Sequence, residues 1–121
     1  MRKLTSVILA ACLLPVAAAA QEAATSAPGG TVRVLDKLNG SVTDLELTNG
    51  QSATVGRLVV TLGECRFPTD NPMGDAFQMI TLQFEGNLEP VFMGWMIASS
   101  PAVSAFDNAR YDVWPLSCIT S

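Results

Sequence analysis

The sequence predicts an all-β fold: a small β-sandwich or barrel of about 7 to 8 strands, with one short helical turn and one disulfide. Three observations carry this. Runs of β-branched, aromatic and aliphatic residues recur roughly every eight to twelve residues. They are separated by the turn dipeptides Asn39-Gly40, Asn49-Gly50 and Gly86-Asn87, and no stretch carries the periodicity of a long amphipathic helix.

The elements follow in chain order. Arg2 and Lys3 precede an apolar stretch from Leu4 to Val16 and then Ala17 to Ala20, the order of regions in a cleavable signal peptide, so residues 1–20 are expected to be removed before Gln21. The apolar stretch is interrupted by Pro15 and is far short of the roughly 20 residues that span a bilayer. No transmembrane segment is therefore expected after cleavage. Leu9-Ala10-Ala11-Cys12 also resembles a lipobox, which offers a minor alternative, a lipoprotein anchored at Cys12. Residues 21–31 are small and polar, with Pro28 and Gly29-Gly30, and read as a flexible linker. A single β domain is expected over 32–121.

Val32, Val34 and Leu38 start the first strand pattern, which turns at Asn39-Gly40 into Val42, Leu45 and Leu47. After Asn49-Gly50 comes Arg57 to Leu62, a β-branched run ending at Gly63 just before Cys65. Phe67 to Asp75 holds Pro68, Asn71-Pro72 and Gly74 and reads as a loop. Phe77 to Phe84 is the next strand, and Val91 to Ile97 the one after it. This last run is apolar on both faces, the pattern of a central, covered strand. Ser99-Ser100-Pro101 reads as a cap before a turn or two of helix over Ala102 to Ala105. Arg110 to Trp114 then alternates as a final strand leading to Cys118.

The full chain of 121 residues carries 7 basic and 11 acidic residues, a net charge of -4. Without Arg2 and Lys3, 5 basic residues face the same 11 acidic ones, a net charge of -6. That excludes the basic footprint of a nucleic-acid binder and opposes attraction to anionic lipid. Export also decides the cysteine arithmetic. Once Cys12 is gone, Cys65 and Cys118 remain in an oxidising compartment and are expected to bond.

Phe92-Met93-Gly94-Trp95-Met96-Ile97-Ala98-Ser99-Ser100-Pro101-Ala102-Val103-Ser104-Ala105, then Tyr111-Asp112-Val113-Trp114 and Cys118, resembles the signature of domain of unknown function 2155, a family of small secreted bacterial proteins. Leu35-Asp36-Lys37 with Gly40, and Gly56-Arg57-Leu58 with Cys65, match further parts of that pattern. Phe106-Asp107-Asn108-Ala109 departs from it where such proteins often carry a Glu-His-Pro-like sequence. The resemblance implies a secreted, periplasmic protein and carries over no activity.

The chain has no histidine, which removes the usual general base and the commonest transition-metal ligand. Two separated cysteines are too few for a zinc site, so no metal or cofactor is expected. Asp107 and Asp112 flank Arg110, and Asp36 adjoins Lys37; these acids read as turn formers and ion-pair partners. Ser99 and Ser100 lack the Gly-x-Ser-x-Gly elbow and a base. The expected role is thus a non-enzymatic periplasmic binding or structural domain with an unidentified envelope protein or polymer as partner. Its candidate binding surface is Gly94, Trp95, Met96, Ser99, Ser100 and Trp114, the tryptophans being the best anchors. The alternatives are a small carboxylate-dependent hydrolase using Asp107 and Asp112, or a lipid or small-ligand carrier.

Overall fold

The computed structural model describes residues 23–101, 106 and 108–120. Within them the chain runs β1 (Ala24–Ala27), β2 (Gly29–Asp36), β3 (Ser41–Thr48), β4 (Ser52–Val55), β5 (Leu58–Pro68), β6 (Phe77–Phe84), β7 (Phe92–Ile97) and β8 (Tyr111–Ile119). The expected all-β class holds, and these are 8 strands in two sheets. The leader over 1–20, with Cys12, and the brief helix over Ala102–Ala105 lie outside the described residues.

All pairings are antiparallel. The first sheet has the order β1-β5-β6-β7, with β4 lying along the same edge of β5 as β1; the second has the order β3-β2-β8. Turn chemistry explains the hairpins. Gly40, Gly50, Gly56 and Gly86 all sit at positive φ, where glycine carries no steric penalty. The β4–β5 loop is just Gly56-Arg57, with only the first residue at positive φ (61°), as in a type II′ hairpin turn.

Alternation builds one core between the sheets. Val32 and Val34 point into it from β2, Leu58, Val60 and Leu62 from β5, Ile80 and Leu82 from β6, Met96 from β7, and Tyr111 and Val113 from β8. Cys65 on β5 and Cys118 on β8 are joined at 2.14 Å, with Cα atoms 5.7 Å apart. The expected disulfide therefore ties one sheet to the other.

Several local readings are corrected. The stretch 21–31, expected from composition to be a flexible linker, is strand from Ala24 onward. Its small residues need no apolar pattern, because β1 is held by pairing with Cys65–Pro68 of β5. Gly30 is strand for a related reason, its pairing with Leu47 of β3 and Cys118 of β8. Glycine is needed there because a Cβ would meet Gln78 Nε2 at 2.7 Å and Cys65 Sγ at 2.8 Å. Gly63 does not end a strand; β5 passes through it in a bulge between Leu62 and Glu64 and continues to Pro68. Finally, β7 stands last in its sheet order rather than centrally. It is apolar on both faces because one face packs the core and the other is exposed.

A second bulge, between Thr31 and Val32 of β2 against β8, follows from Pro115, which brings no N–H to the ladder. The buried Gln78 repairs it from the opposite sheet. Its Nε2 donates to Thr31 O at 3.1 Å and to Ser117 O at 3.0 Å, while its Oε1 has no partner among the described residues.

Candidate functional site

The six residues expected to form one binding surface are distributed over different parts of the molecule. Met96 is 1% exposed and belongs to the core. Gly94 pairs with Ile80 in unbroken register, and a Cβ there would meet only ordinary contacts, the nearest being Phe92 Cζ at 3.5 Å. It marks neither a bulge nor a close approach. Trp95 points outward from the first sheet. Trp114, half-buried, stands on the outer side of the second sheet beside Arg33, so the two tryptophans share no surface.

The helix that Ser99 and Ser100 were expected to cap lies outside the described residues; within them, Ser99 binds Asp75. Its Oγ donates to Asp75 Oδ2 at 2.7 Å and its N–H to Asp75 Oδ1 at 3.0 Å, which pins the turn after β7 to the loop before β6. Ser100 continues that turn, donating its N–H to Ile97 O. Asp75 and Ser99 line a cavity of about 320 Å³ with Met73, Leu116 and Cys118.

What the structure assembles around Trp95 is an apolar outer face on the first sheet. Met93, Trp95 and Ile97 alternate outward along β7, opposite Thr81, Met79 and Phe77 of β6. Met93 is 61% and Trp95 42% exposed. Beyond β6 the face becomes polar: Arg66 Nε donates to Glu64 Oε2 at 2.8 Å, and Ser26 Oγ to the same oxygen at 2.7 Å. Those donors hold the Glu64 carboxyl below its ordinary value, Ser26 contributing most and Arg66 next. Arg66, Phe77, Trp95, Ile97 and Ala24 line a shallow groove of about 410 Å³ across this face.

Phe77 and Met79 were not expected in the site. The alternation of β6 is misleading, because its polar Gln78 is buried to serve the bulge while Phe77 and Met79 face out. A reading of polarity alone misplaces Phe77, Gln78 and Met79, although it places Ile80 and Leu82 correctly in the core.

Asp36 and Asp112 are both held in ion pairs, with partners other than the basic residues nearest them in sequence. Asp36 binds Arg110 rather than Lys37: Arg110 Nη2 donates to Oδ2 at 2.9 Å and Nε to Oδ1 at 3.1 Å. The hydrogen bond from Arg110 is the main reason that the Asp36 carboxyl lies below its ordinary value, with the Leu38 N–H assisting. Lys37 Nζ instead lies 3.2 Å from Asp112 Oδ1. On the outer side of the second sheet, Arg33 grips Asp44 through two bonds of 2.7 and 2.9 Å, which lowers the Asp44 carboxyl. Asp107 lies outside the described residues. Among the described residues no group of three His, Cys, Asp or Glu side chains could hold a metal ion.

Comparison with known proteins bears on the whole domain. An uncharacterized protein of Rickettsia prowazekii (strain Madrid E) is 24% identical over 92 residues, covering 74% of this chain and 59% of that protein. No solved structure matches the chain. The family model for "Uncharacterized protein conserved in bacteria (DUF2155)" matches residues 30–118, from the start of β2 to the second disulfide cysteine, and the chain belongs to that family.

Proposed function

We propose that this protein is a non-enzymatic binding domain of the bacterial cell envelope, exported by its leader to the periplasm, that holds a protein or polymer partner against the outer face of β6 and β7. One observation carries the reading: Met93 and Trp95 stand exposed beside Phe77, Met79 and Ile97. A contiguous apolar patch with a polar border on a soluble domain marks an interaction surface. A central Trp supplies large contact area, and Met side chains adapt to a partner's shape. The border here is the Ser26–Glu64–Arg66 network. The sequence supports export through the order of Arg2-Lys3, the apolar stretch and Ala17–Ala20.

The test is affinity capture from envelope extract with the domain starting at Gln21. It compares the native sequence, Trp95→Ala and Trp114→Ala at equal folded concentration. Loss of the captured partner with Trp95→Ala but not with Trp114→Ala is expected. An identical partner set for all three folded proteins would refute this surface. Mass measurement of the exported protein's amino terminus tests the address: Gln21 is expected, and a lipidated Cys12 would place the domain on a membrane anchor instead.

A further inference from the structure

A second feature lies at the other end of the strands, away from the Trp95 face. Arg57, Phe84, Asn87, Asn108, Ala109, Arg110 and Tyr111 line a groove of about 400 Å³. It is rich in donors, because the acceptor atoms of Asn108 and Tyr111 are already used within the fold. Asn108 Oδ1 accepts the N–H of Arg110 at 2.9 Å and of Tyr111 at 3.0 Å. That fixes which end of the amide is the oxygen and leaves Nδ2, with two N–H groups, unpartnered among the described residues. Arg110 gives Nε and Nη2 to Asp36, so Nη1 is the nitrogen left over. The guanidinium also lies over the Tyr111 ring, 5.0 Å from its centroid, so its plane is fixed before any ligand arrives.

Arg57 reaches the groove from the β4–β5 turn. Its backbone is pinned, with its N–H bonded to Tyr111 Oη at 3.0 Å and its carbonyl to the Glu85 N–H at 2.9 Å. Its guanidinium forms no ion pair among the described residues, whereas Arg33, Lys37, Arg66 and Arg110 all do. Three of the 5 Lys and Arg residues beyond residue 20 gather at this end of an acidic chain: Arg57, Arg110 and Lys37, whose Nζ donates to Asn108 O. Asp36 and Asp112 are occupied by Arg110 and Lys37, and Glu85 pairs with neither arginine among the described residues.

The geometry points to an oxyanion-binding site between Arg57, Arg110 and Asn108, taking a carboxylate or phosphate group carried on a small organic body. Guanidinium donors bind such anions through short, charge-assisted bonds, and more strongly when held in place beforehand. The groove is several times larger than the anion alone, and Phe84 and Ala109 give it an apolar side for the rest of the molecule. Net negative charge elsewhere opposes entry only weakly, because it is screened beyond about 8 Å at physiological salt.

The test is an NMR titration of the domain, from Gln21, with galacturonate, inorganic phosphate and neutral methyl galactoside as probes. It follows the side-chain amides of Asn87 and Asn108 and the Nε–H of Arg57 and Arg110. Saturable shifts at these groups with galacturonate or phosphate, and none with the neutral sugar, are expected; the better of the two identifies the source of the oxyanion. Arg57→Ala should weaken binding about tenfold or more, as loss of a charged hydrogen bond does, and Arg57→Lys should recover part of it. Arg57→Ala keeps the backbone bond to Tyr111, so the fold is retained. Equal shifts with the neutral sugar, no saturation with either anion, or an unchanged affinity in Arg57→Ala overturns the site. So does binding that appears only in Asp107→Asn, because a carboxylate of the chain would then already fill the groove.

Discussion

Gly56 shows how one residue can be required twice. Its φ of 61° favours glycine, and a Cβ there would also collide with the Tyr111 hydroxyl, the group that receives the Arg57 N–H. Gly56→Ala is therefore expected to lose about 1–3 kcal/mol, read as a lower urea midpoint; an unchanged midpoint would mean that the turn is not built this way. Asp36 is the other informative residue. It is only 4% exposed and is held ionised chiefly by Arg110. Its folded pKa lies below the ordinary 3.8, so the unfolded chain takes up the proton first. The stability it contributes is present above about pH 4 and is lost as pH falls through the lower folded value. Asp36→Asn should lower the melting temperature at neutral pH and flatten its decline in acid, compared by calorimetry at both pH values. Neither role was legible in the sequence. Asp36 has Lys37 as its chain neighbour but Arg110 as its partner, 74 residues away, and only the β2–β8 register brings Asp36 opposite Tyr111 and so next to Arg110.

The strands themselves were largely legible, where burial on one face imposes alternation and glycine marks the turns. β2, β3, β6, β7 and β8 appear where β-formers and the Asn-Gly, Gly-Asn and Pro signals place them. β1 and β4 do not stand out, because Ala24–Ala27 and Ser52–Val55 are four-residue edge strands with little to bury; their ladders with β5 hold them rather than an apolar face. β7 separates burial from composition most clearly. Met93 and Met96 are three residues apart in the same strand, yet one is 61% and the other 1% exposed. Met96→Ala should cost about 2–5 kcal/mol through the cavity that it leaves, and Met93→Ala about 0.5 kcal/mol or less. Similar losses at both positions in denaturant unfolding would contradict the assignment of the outer face. β8 relies on a side chain from the other sheet: Gln78→Leu would strip the donors from Thr31 O and Ser117 O. A loss of about 1–3 kcal/mol is expected, visible also as faster amide exchange around the bulge.

Over the whole molecule, the chain changes sheet at Pro28, between β3 and β4, and again between β7 and β8, so neither sheet is built from consecutive strands alone. Such an arrangement depends on pairings distant in sequence, whose closure entropy must be met before they stabilise anything. This explains why the sheet order was not legible while the disulfide was. Pairing of two cysteines follows from counting and compartment, whereas strand order follows from packing. The bond from Cys65 to Cys118 spans 53 residues and links β5 to β8 across the core, so it restricts the unfolded chain in the one direction that the hairpins do not. A loop of that size is worth about 4 kcal/mol in the chain-entropy account. The Cys65→Ala, Cys118→Ala double variant should therefore unfold at a markedly lower urea concentration. Its denaturant slope should also rise, because an unfolded chain without the crosslink exposes more surface. A lower midpoint with an unchanged slope would mean that the loss comes from packing around Cys65 rather than from the crosslink. Thiol titration of the denatured, unreduced protein from Gln21 provides the complementary measurement, with no free thiol expected and two free thiols refuting the bond.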